Sequence, residues 1–479
     1  MNKHAVFYNI GNLLKVEAGL LALPLAISVF DGDGNFLAFL IPITLLAALG
    51  FLLTRLGKKD AVIYAREGFA IVGFSWLLIS LFGALPFVIS GEIKNFIDAF
   101  FEATSGFSTT GSTILKDVEA LSRSMLFWRS FTQWIGGMGI LVFVLAFMPT
   151  TEARSIFIMK AESPGPKVGK IVSKVKITAR ILYAIYIALT ALLIILLSFK
   201  MPFFDSVNHA LATAGTGGFS IKNAGIAYYD SAYVETVLTI FMFLFGVNFT
   251  VFYLLLIGKA SQALKSEELR WYVAIVVSAV FLIAASVNSF YASFGRSLRY
   301  SAFQAVSVIT TTGFATTDFV LWPAFAQTVL VLLMLVGASA GSTGGGLKVS
   351  RVVIYFKMIL KEIRYSIHPR QVSTVMFEKE PLSDSTQKGV AHHIVAYLFI
   401  LAIGTLITSL DGFSFATNFT ATLSSLSNVG PGLGAVGPSG NYAVFSPISK
   451  LALSFIMMAG RLEIFPMLIL FSPRIWKYR

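Results

Sequence analysis

The stretch "DAFFEATSGFSTTGST", Asp98 to Thr113, decides how this 479-residue chain folds. It starts apolar, is too short to cross a bilayer, and ends in small hydroxylated residues and glycine. Three stretches of the same build follow: "DSVNHALATAGTGGFS" (Asp205 to Ser220), "SAFQAVSVITTTGFAT" (Ser301 to Thr316) and "NFTATLSSLSNVGPGL" (Asn418 to Leu433). Aligned on one glycine, the four read Ser108-Thr109-Thr110-Gly111, Gly215-Thr216-Gly217-Gly218, Thr310-Thr311-Thr312-Gly313 and Ser427-Asn428-Val429-Gly430. One copy recurs about every 100 residues, each between longer apolar runs, so the repeating unit is helix, short re-entrant helix, glycine loop, helix.

The chain is 56% hydrophobic and 13% charged, with a mean hydropathy of +0.78, the balance of a polytopic membrane protein. Ten spans are predicted: Phe7 to Val29, Phe36 to Leu53, Gly68 to Ile89, Leu126 to Phe147, Ile181 to Leu197, Val234 to Ile257, Trp271 to Ser289, Phe325 to Leu360, Ile394 to Leu410 and Ile448 to Phe471. The first carries Lys15 and Glu17, two apart and so not facing each other, and it lacks a small-residue cleavage site, which marks it as a retained helix. The expected fold is therefore all-α: two leading helices in residues 1–60, then four pore repeats in residues 61–160, 161–265, 266–375 and 376–479, around a pseudo-fourfold axis.

A net charge of +13 could indicate nucleic acid, but most Lys and Arg fall between apolar runs on one side of a ten-span topology. Lys348, Arg351 and Lys357, after a break in the eighth span, are counted on that side. This positive-inside bias places both termini in the cytoplasm and removes the case for nucleic acid. With no cysteine there are no disulfides or thiolate metal sites. The longest polar stretch, Lys361 to Val390, is too short for a soluble domain, so any nucleotide sensing belongs to another chain.

Irregular backbone at membrane depth survives only where protein buries it or water solvates it. Four such loops on one axis could present carbonyls that replace the hydration shell of a cation. Glycine at the fourth position reaches the backbone conformations this needs and permits close approach. Ordinary turns account for any one such loop, but poorly for four copies.

The eighth span is interrupted by "GASAGSTGGGLK", Gly337 to Lys348. It lacks the Gly-Lys-[Ser/Thr] run of a phosphate-binding loop, and no soluble strand precedes it, so nucleotide binding is rejected. Two readings stand: a hinge that gates the path below the loops (Gly337, Gly341, Ser342, Thr343, Gly344, Gly345, Gly346), or close packing through small residues. Arg461, midway along the last apolar run, would cost about 3 kcal/mol facing lipid. It is expected either to face the ion path below the loops or to pair with another helix. Glu463, two residues on, lies on a different face.

No histidine stands at a metal-ligand spacing from a second ligand, and His209, in a re-entrant helix, is assigned to packing or hydrogen bonding. Asp98 and Asp205, near the outer starts of their re-entrant helices, are assigned first to capping and second to attracting cations to the mouth. No set of Ser, His, Asp or metal ligands suggests an enzyme.

At these residues the sequence resembles the TrkH/TrkG branch of a bacterial potassium-transporter superfamily that includes KtrB proteins. The resemblance rests on "DAFFEATSGFSTTGST", "QWIGGMGILV" (Gln133 to Val142), "AESPGP" (Ala161 to Pro166), "GSTGGGLKV" (Gly341 to Val349), "HPR" (His368 to Arg370), "SNVGPGLG" (Ser427 to Gly434) and "GRLEIF" (Gly460 to Phe465), nearly the whole chain. It implies potassium uptake in a bacterial inner membrane and a homodimer. It also implies cytosolic TrkA-type nucleotide-binding subunits, potassium coordination by the four quartets, gating by the broken eighth span, and a pore-lining charge at Arg461. Glycine in the fourth place of all four quartets goes, in this superfamily, with preference for potassium over sodium. Potassium is thus the cargo, and no organic cofactor is expected in this chain. A cation-coupled secondary transporter is the alternative, disfavoured by fourfold rather than two-part repetition.

Overall fold

The computed structural model describes residues 2–58, 64–139, 175–371 and 373–473. Among the described residues the chain is helical, with one two-stranded hairpin, β1 Met376–Phe377 and β2 Glu380–Pro381. Two leading spans come first: α1 Lys3–Leu20 continuing into α2 Ala22–Asp31, then α3 Phe36–Leu56. The step at Leu21 precedes Pro24, which has no N–H to offer the carbonyl of Leu20. Lys15 is occupied, its Nζ donating to Thr54 Oγ1 on α3 at 2.7 Å.

The first repeat holds α4 Ala65–Gly83 and α5 Leu85–Ile89, the re-entrant α6 Phe96–Phe107 and α7 Arg123–Gly137. The second holds α8 Val175–Leu197, re-entrant α9 Phe203–Ala214, α10 Ala232–Phe245 and α11 Phe249–Leu256, followed by the short α12 Ala260–Leu264. The third holds α13 Glu267–Val287, re-entrant α14 Phe294–Ile309, α15 Ala324–Val336 and α16 Val349–Ile367. The fourth holds α17 Asp384–Thr408, re-entrant α18 Phe415–Ser427, α19 Pro447–Arg461 and α20 Phe465–Leu470. Serines start many of these helices: Ser231, Ser266, Ser293, Ser383, Ser414 and Ser446 each accept a hydrogen bond from a backbone N–H of the first turn.

Six described helices are long and apolar enough to span a membrane unbroken. They match the first, second, third, fifth, seventh and ninth expected spans. The second helices of the last three repeats behave differently. Val234 to Ile257, expected as one span, bends by 92° between Phe245 and Phe249. Ile448 to Phe471 is not one helix either: it ends at Arg461, and Glu463 and Ile464 take φ of +60° and +67°. Arg461 is thus a helix C-terminus, not a midpoint. The eighth span breaks between Val336 and Val349 as expected, and the part of the fourth beyond Gly139 lies outside the described residues.

The charges also need correction. Lys348 and Arg351, counted as segment charges between spans, are buried, at 2% and 7% exposure. Lys348 Nζ donates to the carbonyl of Gly344, and Arg351 pairs with Glu463 across the break in the last span. Asp98 and Asp205 are not caps: Asn95 and Pro202 hold those positions. Asp98 accepts from Lys450 Nζ at 2.7 Å, and Asp205 from the Tyr229 hydroxyl at 2.6 Å. His209 is hydrogen-bonded as expected, to Asp205 O at 2.8 Å and Ser220 Oγ at 3.1 Å.

Exposed Phe51, Leu332, Phe399 and Leu406 project from the bundle, a pattern suited to lipid, while the centre is closed by polar contacts. Among them is a fully buried ion pair. Arg129 Nε on α7 donates to Glu102 Oε1 on α6 at 2.8 Å, and its Nη1 reaches Ser220 O at 3.1 Å in the second repeat. The remaining carboxylate capacity takes Thr113 Oγ1 and Ile114 N, both at 3.0 Å, from the loop after the first quartet. Removing one partner strands a buried charge. Arg129→Leu should therefore destabilise the folded chain by about 3–5 kcal/mol, and Glu102→Met in the same background should restore much of that. Thermal unfolding of the detergent-solubilised variants measures both; equal stability of Arg129→Leu and the parent would count against the brace.

Candidate functional site

Each re-entrant helix ends in the same turn, and the turn is what shapes the quartets. The third residue of each quartet donates its N–H to a helix carbonyl five residues back: Thr110 to Ser105, Gly217 to Ala212, Thr312 to Ser307 and Val429 to Ser424, at 2.8–2.9 Å. The second residue donates three residues back: Thr109 to Gly106, Thr216 to Thr213, Thr311 to Val308 and Asn428 to Ser425. This pair of bonds is the Schellman ending of a helix, and it forces the second residue into the left-handed region. There φ is +57° at Thr109, +53° at Thr216, +60° at Thr311 and +58° at Asn428. Threonine, branched at Cβ, is costly in that region, whereas asparagine is one of the cheaper side chains there. Asn428 therefore departs in sequence but not in backbone.

The fourth residues close a ring. Gly111, Gly218, Gly313 and Gly430 have φ of +80°, +72°, +80° and +100°. A Cβ at Gly111 would lie 2.0 Å from the carbonyl oxygen of Gly217, one at Gly218 1.9 Å from that of Thr312, and one at Gly313 2.0 Å from that of Val429. At Gly430 the nearest atom would be the carbonyl oxygen of Thr110, 2.7 Å away. Each glycine thus abuts the third-residue carbonyl of the next loop, first to second to third to fourth and back to first. The four loops meet on one axis at backbone contact distance, and the four glycines line one outer cavity together.

Side chains behind the ring fix individual loops. Gln133 on α7 donates from Nε2 to Gly217 O at 2.7 Å and accepts from Phe219 N at 3.0 Å. Its bulk explains why the second quartet is glycine-rich: a Cβ at Gly217 would lie 2.4 Å from Gln133 Cδ. Ser108 and Thr110 share a hydroxyl hydrogen bond of 2.7 Å, and Thr310 and Thr312 one of 2.8 Å. Asn428 Nδ2 bridges to Thr110 Oγ1 at 3.0 Å and to Met457 O at 2.9 Å, tying the fourth loop to the first.

The interrupted segment of the third repeat lies directly against this ring. Gly345 N donates to Thr311 Oγ1 at 2.7 Å, and a Cβ at Gly345 would lie 2.2 Å from Ser427 O. Gly344 faces Thr310 O in the same way, at 2.8 Å. The bend at Gly246 receives the other edge: Ser339 N donates to Gly246 O, and Phe249 N to Gly341 O, both at 3.1 Å. Arg461 Nη1 donates to Thr343 O at 2.7 Å, while its Nη2 reaches the carbonyls of Gly136, at 2.6 Å, and Gly137. Arg461 therefore ties the 337–346 segment to the end of α7. Glu268, at the start of α13, anchors the opposite edge by accepting Ala340 N at 2.7 Å and Ser350 N at 3.2 Å.

The quartets and the 337–346 segment are thus brought together, with Arg461 attached to the latter. Sequence reading missed Gln133, Glu268 and the Arg351–Glu463 pair, because their partners are remote in the chain. It also missed the breaks in the second and fourth repeats, although Gly246 and Gly460 mark both. Lengthening the side chain at Gly345 should wedge the segment off the ring. Gly345→Val is expected to lower the unfolding temperature more than Gly389→Val, where a Cβ meets open space, and differential scanning fluorimetry compares the two.

Residues 34–478 match the TrkH family, described as cation transport protein. Over all of both chains, the sequence is 33% identical to the Trk system potassium uptake protein TrkH of Escherichia coli strain K12. It is 32% identical to TrkG of the same strain, covering 95% of this chain and 94% of that one. Among solved structures, the crystal structure of the potassium transporter TrkH from Vibrio parahaemolyticus superposes with a TM-score of 0.90 at 29% identity, covering all of both chains. A match of this extent, on a chain whose four loops close one axial ring, makes the protein a member of the TrkH family of cation transport proteins.

Proposed function

We propose that this chain takes up potassium across a bacterial inner membrane through the four quartets, with the 337–346 segment as its gate. The observation that carries the reading is the ring itself: four loops of one backbone conformation, each locked to the next carbonyl. Both termini lie in the cytoplasm, and residues 1–60, 61–160, 161–265, 266–375 and 376–479 form the leading pair and four pore repeats. Relatives that are named potassium uptake proteins support the choice of ion.

Electrostatics favours a cation at the ring. Three re-entrant helices end immediately before their quartets and the fourth at its first residue, Ser427, so four helix C-termini, each carrying roughly half a negative charge, converge where the ion sheds water. Position-one to position-three carbonyls of Ser108, Thr109, Thr110 and their counterparts replace the hydration shell. Left-handed second and fourth residues alternate with ordinary ones, which turns successive carbonyls toward the axis.

On this reading the gate is closed. Gly344 and Gly345 lie against Thr310 and Ser427, and the Arg461 guanidinium crosses from Thr343 to Gly136. Arg461 then acts twice, as a fixed positive charge below the ring and as a latch on the loop. Opening requires that latch to release, under a cytosolic nucleotide-binding partner of the TrkA type and in a homodimer.

Potassium and sodium flux into proteoliposomes containing the purified full chain tests the reading, with potassium expected to exceed sodium; no flux of either ion in folded protein would sink it. Arg461→Ala removes the charge-assisted hydrogen bonds of the latch and should raise potassium flux at least about tenfold. Unchanged flux would remove both roles of the arginine. Gly313→Ala, with no room for a methyl group, should abolish flux, while Gly389→Ala should leave it unchanged.

A further inference from the structure

We infer that the cavity beside Glu268 binds the phosphodiester headgroup of an anionic phospholipid, and that its occupant holds the gate segment closed. The regulatory half of this inference rests on the pore reading above; the binding half does not. The cavity has a volume of about 1170 Å³ and lies between α11, α12, the start of α13 and the β-hairpin. Ala340 of the gate segment and Ser350 of α16 are part of its wall.

Its uncompensated charge is positive. Lys259, Lys265 and Lys379 line it, are exposed, and have no acidic partner among the described residues. Arg270 lines it as well, so four cations face three acids, Glu267, Glu268 and Glu378, whose charges remain although their oxygens are bound elsewhere. Glu267 pairs with Lys357, Glu378 accepts from Ser266 Oγ at 2.8 Å and Glu268 N at 3.1 Å, and Glu268 is taken up by Ala340 and Ser350. Lys379 sits in the hairpin turn with φ of +63°, after Glu378 at +51°, so its backbone is set by the turn rather than by a partner.

The surroundings choose lipid over a soluble anion. Leu255, Leu256, Ile257 and Leu264 are exposed around Lys259 and Lys265, and Trp271 is 41% exposed beside them. Apolar side chains next to lysines and a half-exposed tryptophan mark the level of the headgroups. A headgroup phosphate there satisfies the two lysines that flank α12 and the one in the hairpin. It thereby clamps the hairpin and the start of α13 together, and so fixes Glu268, whose carboxylate holds Ala340.

The test uses the purified full chain, with Lys259, Lys265 and Lys379 changed together to Gln, against a charge-matched control of Lys3, Arg364 and Lys388 changed to Gln. Phosphatidylglycerol retained in native mass spectrometry should require at least about tenfold more lipid in the first variant, and remain as in the parent in the control. Potassium flux of the parent should rise several-fold when vesicles of phosphatidylcholine replace vesicles containing phosphatidylglycerol, and flux of the triple variant should be high in both. Equal retention by both variants would overturn the site. A parent response to inorganic phosphate in phosphatidylcholine vesicles would overturn the lipid assignment. A parent that conducts no potassium but loses lipid through the lysine changes would sink the pore reading and leave the site standing.

Discussion

Four glycines without room for a methyl group hold this structure together at its axis. Gly111, Gly218 and Gly313 each place their Cα so close to the neighbouring loop that a Cβ would overlap its carbonyl oxygen. Any side chain there would push one loop off the next and open the ring. The same contacts set how far the re-entrant helices penetrate, since each quartet is the direct continuation of its helix. The depth of the helices, their convergence and the closeness of the loops are one constraint seen from three sides.

The ring is maintained under local strain. Three of four left-handed second positions are threonine, a residue poorly suited to that region, and each such placement costs on the order of 1–3 kcal/mol. Thr311 shows what the hydroxyl supplies in return, since it accepts the N–H of Gly345 from the 337–346 segment. Below the ring, the second helices of the last three repeats break at 246–248, 337–348 and 462–464, after 13–15 residues of helix. Those breaks leave backbone carbonyls and N–H groups at membrane depth, where Gly246 pairs with Ser339 and Gly341 with Phe249, and the Arg461 side chain donates to Thr343 O. The 337–348 segment is thus held by the unpaired backbone of neighbouring helices rather than by a separate part.

Much of this is legible in the amino-acid sequence. Four apolar stretches ending in small residues and glycine, such as Ala103 to Gly111, carry the repeat, and the cluster of glycines from Gly337 to Gly346 shows its break. The rest depends on distance. That Gln133 holds Gly217, that Glu268 receives Ala340, and that Arg351 meets Glu463 are contacts between residues far apart in the chain, with no local pattern to announce them. Lys348 and Arg351 mislead for a physical reason: a basic residue after an apolar run is usually solvated, and here the break carries both back into the bundle. The last span misleads because its apolar run is uninterrupted apart from the charges, so the turn at Glu463 and Ile464 leaves no trace in hydropathy.

The most direct measurement is where a heavy cation sits. In crystals of this protein grown with thallium(I), anomalous difference density is expected on the pseudo-fourfold axis, at the level of the carbonyls from Ser108 to Thr110 and their counterparts in the other three loops. An axis empty at that level, with ordered thallium elsewhere in the bundle, would contradict a cation filter made by the four loops.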